Sequence, residues 1–197
     1  FGDIHRTYED GERMVTTPPY TAFLKIAEGC SNGCAFCIIP KLRGRYRSRS
    51  MEALVEEARG LAASGVKELI VIAQDITRYG LDRKDGSTLA KLLDRLCELD
   101  FHWIRLHYLY PEAVTDELIE TIARQPKILH YLDIPIQHCN DAILKAMRRR
   151  NTRAEIEALF AKLRKAMPDV VLRTSLICGL PGEGEAEFEE LCHFLRE

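Results

Sequence analysis

The sequence predicts an α/β fold whose parallel strands alternate with helices, in an open sheet or a sheet curved into a partial barrel. Apolar runs rich in β-branched and aromatic residues alternate strictly with helical patterns from Tyr20 onward. The connections between successive runs are long enough to contain the crossover helix that parallel pairing needs. With 197 residues, 46% of them hydrophobic and 29% charged, the chain can bury a core without disulfides.

Five apolar runs have the length and composition of strands that are buried in a parallel sheet. They cover residues 22–27, 69–73, 103–110, 129–134 and 170–178. In parallel α/β sheets, ligands bind beyond the carboxyl ends of the strands. The residues that follow each run are therefore the first candidates for a functional site.

Six stretches with apolar residues at a 3.6-residue spacing predict helices between and after these strands. Five of them start at a serine, threonine or asparagine, whose side chain accepts a hydrogen bond from the first free backbone N–H groups. These starts are Ser50, Ser87/Thr88, Thr115, Asn140 and Thr152, and the sixth helix surrounds Phe188 and Leu195. Gly65 marks the end of the first helix, and Glu155 completes a capping box with Thr152.

Residues 1–19 are polar and without a periodic pattern, so we predict a linker or irregular segment there and a core domain over residues 20–197. Because the chain starts at Phe1 and the last helical pattern runs to Glu197, we expect a fragment of a longer protein. A net charge of −2 gives no general affinity for polyanions. No apolar run approaches the roughly 18 residues of a membrane span, so we expect a cytoplasmic protein without membrane contact.

The strongest functional signal is a CxxxCxxC triplet, Cys30, Cys34 and Cys37, directly after the first predicted strand. Gly29 and Gly33 allow the loop to curl so that the three sulfurs reach one metal centre. Thiolates suit iron–sulfur clusters, zinc or copper(I). Structural zinc takes four ligands, whereas three cysteines on a [4Fe-4S] cluster leave one iron open for a substrate or cofactor. Zinc, or three thiols grouped by chance, remain the alternatives.

Four further cysteines complete the seven in the chain. Cys97 and Cys192 fall on apolar helix faces and Cys178 falls in a predicted strand, which predicts a small buried side chain for each. The spacing of Cys139 gives no reason to make it a ligand.

The triplet, with Phe36 before its third cysteine, resembles the radical S-adenosylmethionine (SAM) superfamily. This resemblance implies that Cys30, Cys34 and Cys37 hold a [4Fe-4S] cluster and that SAM binds its open iron and is cleaved reductively. It also implies a partial (β/α)6 barrel whose sixth strand lies beyond Glu197, so that the domain is incomplete at its carboxyl end.

The sequence CIIPxxRGRxRSR that continues from Cys37 is similar to the methylthiotransferases of this superfamily. Residues 74–82 and 105–111 resemble the branch that methylthiolates the β-carbon of an aspartate in the twelfth protein of the small ribosomal subunit. The resemblance implies a transferase with this ribosomal protein as substrate and a flavodoxin-like electron donor. The alternatives are the branch that modifies isopentenyl-adenosine in tRNA, and a non-catalytic metal-binding module.

The resemblance further implies that Phe36, Gln74, Gln137, Ser175 and Gly179 surround SAM. A turn that only ends the strand explains the glycine-rich sequence from Gly179 nearly as well as a contact with SAM does.

Two other features also have a structural as well as a functional interpretation. His138 suits a packing role and a role near SAM equally. The alternating arginines at 43, 45, 47 and 49 form either a solvated basic loop or a contact to phosphate or an acidic surface.

Overall fold

A computed structural model of the chain describes residues 15–196. The linker predicted over residues 1–19 lies outside the described residues up to position 14, and so does the last residue of the predicted core domain. The strands are β1 Thr21–Lys25, β2 Ala27–Glu28, β3 Arg47–Ser48, β4 Glu68–Ile72, β5 Trp103–Leu106, β6 Ile128–Asp133 and β7 Val171–Arg173. The helices are α1 Ile39–Arg43, α2 Met51–Ala63, α3 Leu89–Cys97, α4 Asp116–Arg124, α5 Asp141–Ala146, α6 Arg153–Ala166 and α7 Glu185–Phe194.

The main sheet has the strand order β1-β4-β5-β6-β7, and every neighbouring pair is parallel. Each crossover between these strands contains at least one helix, as parallel pairing requires. The predicted α/β class with a parallel sheet is therefore confirmed. Because all strands point the same way, the loops that follow them meet at one edge of the sheet.

The helix starts agree closely with the sequence. The side chains of Ser50, Thr115 and Thr152 each accept a hydrogen bond from a backbone N–H in the first turn of α2, α4 and α6. Asn140 does the same for α5, and Glu155 completes the predicted capping box of α6. Local hydrogen-bond chemistry thus fixes where these helices begin.

Two predicted strands are too long. β5 ends at Leu106 rather than at residue 110, because the backbone turns into the left-handed region at Tyr108 (φ 67°). β7 ends at Arg173, and in the described part of the chain beyond it Leu176 makes a single bridge, to Gln137. Apolar composition continued past both ends, so composition alone could not locate them.

Three short elements, β2, β3 and α1, were not predicted. β2 and β3 pair antiparallel over two residues each, which is too short for any periodic signal. Helix α1 has a proline in its first turn and follows directly on the cysteine triplet. The segment between α1 and β3 contacts the cysteine loop, since Gly44 and Tyr46 hydrogen-bond to Cys30 and Ser31.

The core is built on the central strands of the sheet: β4 has three consecutive buried residues, and burial alternates along β5. Along β5, Ile104 and Leu106 are fully buried, and Arg105 between them points to the opposite face. Among the described residues, no helix is long and apolar enough to cross a membrane.

Replacement of Leu106 by alanine should lower the free energy of unfolding by about 2–5 kcal/mol, because it leaves a cavity in the core under β5. Val171, at the start of the edge strand β7, is 54% exposed. Its replacement by alanine should cost less than about 0.5 kcal/mol, so it serves as the matched control. Urea denaturation of both variants measures the difference, and equal losses would show that β5 is not central to the core.

Candidate metal centre and cofactor cavity

The loop that carries the three cysteines runs from the end of β2 to the start of α1. Its backbone is tied to two distant parts of the chain. Cys30 N–H donates to the Gly44 carbonyl (3.1 Å), and Ala35 N–H donates to the Met147 carbonyl (3.0 Å). The Ser31 hydroxyl accepts a hydrogen bond from Tyr46 N–H (3.1 Å). The loop is therefore fixed by hydrogen bonds at its entrance and at its middle.

Two glycines let this loop curl, but they differ in their surroundings. Gly29 has φ +72°, and a Cβ atom there would lie 2.3 Å from the Arg45 carbonyl oxygen. Gly33 has φ +71°, yet a Cβ atom there would meet nothing within 4 Å. Both positions favour glycine through their backbone angle, and only Gly29 also requires the close approach of another backbone segment.

A fully buried carboxylate, Asp75, anchors the cysteine loop from the carboxyl end of β4. Its Oδ2 accepts a hydrogen bond from the Asn32 side-chain amide (2.8 Å), and its Oδ1 accepts one from Thr77 N–H (3.0 Å). The Arg78 guanidinium lies 3.3 Å from Oδ2. Sequence reasoning selected the neighbouring Gln74 and missed Asp75, whose partner Asn32 is 43 residues away.

A cavity of about 240 Å³ lies where this loop meets the carboxyl ends of the parallel strands. It is lined by seven of the eight residues expected at the site: Cys30, Cys34, Phe36, Cys37, Gln74, Gln137 and Ser175. Gly179, the eighth, follows β7 with φ +80° and is not among the lining residues. The structure thus brings together polar and thiol groups from four separate strand ends.

Two residues at this cavity carry strained backbone. Tyr108 (φ 67°) and Gln137 (φ 72°) both lie in the left-handed region, which non-glycine residues rarely adopt. Such strain persists where the surrounding structure holds it, and it concentrates at ligand sites. The Gln137 backbone is held on both sides, since its N–H donates to the Ser175 carbonyl (3.0 Å) and its carbonyl accepts from Ile177 N–H (2.9 Å).

The cavity also contains an aromatic–cation pair that sequence reasoning missed. The Tyr110 hydroxyl lies 2.7 Å from Cys34 Sγ. The Arg149 guanidinium carbon lies 3.7 Å from the centroid of the Tyr110 ring, and its Nη2 donates to the Pro135 carbonyl (2.9 Å). The only sequence signal was position, since Tyr110 follows a strand and Arg149 follows a short helix.

Burial raises the pKa of the Cys30 thiol, and the nearby Asp75 carboxylate and the two other cysteine sulfurs raise it further. Burial also raises the pKa of Tyr110, and its hydrogen bond with Cys34 adds to that rise. Both groups therefore hold their protons near neutral pH. A metal centre that binds Cys30 has to displace the thiol proton.

The number and placement of the cysteines distinguish a [4Fe-4S] cluster from a zinc site. Among residues 15–196, no three His, Cys, Asp or Glu side chains are placed to hold one metal ion. In a [4Fe-4S] cluster each thiolate binds a different iron, so the sulfurs stand farther apart than the ligands of a single ion. The three cysteines that line this cavity match the ligand number of a [4Fe-4S] cluster with one open iron, whereas structural zinc takes four ligands.

His138 is fully buried and is not among the residues that line the cavity. Its Nδ1 accepts a hydrogen bond from Asn140 N–H (3.0 Å), and its Nε2 lies 3.5 Å from Glu183 Oε1. These contacts support the packing interpretation of the histidine over a role near SAM.

Two other expectations have clear outcomes in the structure. Cys178 is exposed, because it lies beyond the end of β7, so the prediction of a buried side chain there was wrong. Within the arginine-rich loop, Arg49 is buried and pairs with Glu57 (2.6 Å), and Arg47 donates to the Arg45 carbonyl (2.8 Å). These two arginines hold the loop in place, and Arg45 is exposed.

Comparison with known proteins agrees with this geometry. The uS12 methylthiotransferase RimO of Caldanaerobacter subterraneus subsp. tengcongensis is 55% identical over 186 residues, which cover 94% of this chain and 42% of that protein. The RimO protein of Geotalea uraniireducens is 52% identical over 198 residues, covering 100% of this chain and 44% of that protein. The chain thus spans less than half the length of these curated relatives.

A solved structure shares the fold. The radical SAM methyltransferase TsrM from Kitasatospora setae superposes with a TM-score of 0.75 over 94% of this chain and 37% of that chain, at 16% identity. The sequence matches the Radical SAM superfamily over residues 24–195, from the first strand to the last helix. This chain therefore belongs to the Radical SAM superfamily.

Proposed function

We propose that this chain is the catalytic core of a methylthiotransferase that modifies an aspartate of ribosomal protein uS12. Two RimO proteins, named as uS12 methylthiotransferases, share 52–55% of its residues over nearly its whole length. The observation that carries the proposal is the cavity in which three cysteines meet polar side chains from three other strand ends. This arrangement suits a metal centre that must also bind a second cofactor and a substrate.

In this proposal, Cys30, Cys34 and Cys37 would hold a [4Fe-4S] cluster and would leave one iron open for SAM. When bound, the cluster supplies the electron that cleaves SAM, and SAM supplies the hydrogen-abstracting group and the methyl group. Gln74, Gln137 and Ser175 line the same cavity and offer amide and hydroxyl groups that can orient SAM. The strained backbone of Gln137, held by two hydrogen bonds, fixes the point at which its side chain leaves the main chain.

Apolar surface at the cavity favours a macromolecular substrate. Phe36 and Tyr108 both line it and are 40% and 45% exposed. Aromatic side chains that remain open to solvent beside a cavity can pack against an incoming polypeptide and exclude water from the reacting carbon. A ribosomal-protein substrate also agrees with a cytoplasmic location.

The electron donor in this proposal is an acidic, flavodoxin-like protein. A groove of about 410 Å³ runs along the outer side of the cysteine loop, and its lining includes Cys34, Phe36, Lys41 and Arg148. Lys41 and Arg148 are both exposed there. Positive charge beside the metal centre favours the approach of an acidic partner.

The test is product analysis with the full-length enzyme, reconstituted with iron and sulfide under anaerobic conditions. With SAM and a reductant it should release 5′-deoxyadenosine and add a methylthio group to uS12, detected by mass spectrometry of the digested protein. Parallel incubation with tRNA tests the alternative substrate, and modification of tRNA alone would replace the proposed one. Bound zinc, or iron without SAM cleavage, would instead identify a non-catalytic metal-binding module.

A further inference from the structure

We infer that Tyr110 is a positioning residue that acts through Cys34 and, together with Arg149, sets the reduction potential of the metal centre. The inference rests on the proposed function, because it requires Cys34 to bind an iron of the cluster. It goes beyond that function by assigning a role to a side chain that is neither a metal ligand nor an expected SAM contact.

The geometry places the tyrosine hydroxyl on the ligand sulfur itself. The Tyr110 oxygen and Cys34 Sγ are 2.7 Å apart, although the residues are separated by 76 positions in the chain. Pro111, which is buried, follows directly and opens a short 3-10 helix over Pro111–Ala113. The proline restricts the backbone on the carboxyl side of Tyr110. Once Cys34 binds iron as a thiolate it has no proton, so the tyrosine must be the donor.

A hydrogen bond to a ligand sulfur changes the balance between the two oxidation states of a cluster. Reduction adds negative charge that spreads over the thiolate sulfurs, and a donor stabilises that charge more in the reduced state than in the oxidised one. Hydrogen bonds to the sulfurs are therefore among the factors that set cluster potentials. The Tyr110 hydroxyl should make this centre easier to reduce.

Arg149 strengthens this effect from the other side of the ring. Its guanidinium carbon lies 3.7 Å from the ring centroid, which is close cation–π contact. A positive charge over the ring withdraws electron density from the phenol and makes the hydroxyl a better donor. The hydrogen bond from Nη2 to the Pro135 carbonyl holds the guanidinium in this position.

The burial of Arg149 supports a nearby negative charge in the loaded protein. The residue is only 7% exposed, it lines the cavity, and its Nε has no hydrogen-bond partner among the described residues. A buried cation is costly unless opposite charge lies close to it, and the Glu112 carboxylate supplies part of that charge. A cluster with three thiolate ligands would supply negative charge at the cavity that Arg149 shares with Cys34.

The test is a redox titration of the reconstituted full-length protein, monitored by electron paramagnetic resonance (EPR). Only the part of the signal that changes on addition of SAM is followed, because it reports the cluster that binds SAM. In Tyr110→Phe we expect the equilibrium constant for one-electron reduction to fall about tenfold, which corresponds to a midpoint about 59 mV more negative. Arg149→Met should shift the midpoint in the same direction by a smaller amount.

Tyr131→Phe is the matched control, since Tyr131 also has an arginine over its ring, Arg105 at 5.1 Å from the centroid, and does not line the cavity. This control should leave the midpoint unchanged. If Tyr110→Phe loads iron and binds SAM but keeps the wild-type midpoint, the inference is overturned. If Tyr110→Phe fails to load iron, replacement of Tyr110 by a fluorinated tyrosine tests the inference instead. Its more acidic hydroxyl should raise the midpoint, and an unchanged midpoint would overturn the inference.

The wild-type protein distinguishes a failure of the proposed function from a failure of the role assigned to Tyr110. A wild-type protein without any SAM-responsive signal would refute the proposed function. A wild-type protein with that signal, beside a Tyr110→Phe variant with the same midpoint, would refute only the role of Tyr110.

Discussion

Replacement of Cys34 by alanine is expected to remove the SAM-responsive cluster. SAM cleavage should fall by more than about 100-fold, because loss of a residue that only hydrogen-bonds to a metal ligand already costs about 10- to 100-fold. Cys34 lies between the other two cysteines in sequence and shares their cavity. Without its thiolate only two protein ligands remain, and the loop offers no nearby substitute. The Tyr110 hydroxyl would also lose its partner.

The readouts are iron content, the EPR change on addition of SAM, and 5′-deoxyadenosine formation. Cys192→Ala is the matched control, because Cys192 is half-buried on α7 and does not line the cavity. It should keep all three readouts. A Cys34→Ala variant that still cleaves SAM at the wild-type rate would remove this residue from the metal centre.

Replacement of Gly29 by alanine should also remove the cluster, although it leaves the three cysteines intact. The added Cβ atom would lie 2.3 Å from the Arg45 carbonyl oxygen and 2.7 Å from the Gly44 carbonyl oxygen. Both contacts are with backbone, which cannot rotate away as a side chain can. The entrance of the loop must therefore move, and with it the Cys30 N–H bond to Gly44. We expect loss of the cluster together with a marked loss of stability.

Gly33→Ala separates this clash from the cost of the backbone angle. Gly33 has nearly the same φ, but its added Cβ atom would meet nothing within 4 Å. Its cost should be only the left-handed conformation, about 1–2 kcal/mol, with the cluster retained. Iron content and thermal melting of the two variants measure the difference. Equal behaviour would mean that the approach of residues 44 and 45 does not hold the loop.

The parts of the fold that are encoded locally were predictable. Helix starts such as Ser50 and Thr152 follow from a side-chain oxygen that accepts a backbone hydrogen bond within three residues. The position of Cys30, Cys34 and Cys37 at a strand end follows from their place in the sequence, since parallel strands share one ligand edge. That rule also explains why Gln74, Gln137 and Ser175 reach the cavity.

What could not be predicted depends on contacts between distant segments. Nothing in the local sequence separates Asp75 from Gln74 as the residue that holds the cysteine loop, because its partner Asn32 lies 43 positions away. Tyr110 lies beside a proline after a strand, where a core role is the default expectation. Its contact with Cys34 depends on how the ends of β1 and β5 are arranged across the sheet, which the sequence does not state.

The hydrogen bonds from Asn32 to Asp75 and from Ala35 to Met147 have a thermodynamic consequence. They join the cysteine loop to the end of β4 and to the end of α5. Part of the free energy gained when the metal centre is bound therefore also stabilises these two elements. A group that binds only the folded chain stabilises that chain by mass action. Oxidative loss of iron should therefore speed up amide hydrogen exchange around residues 75 and 147 before the sheet unfolds.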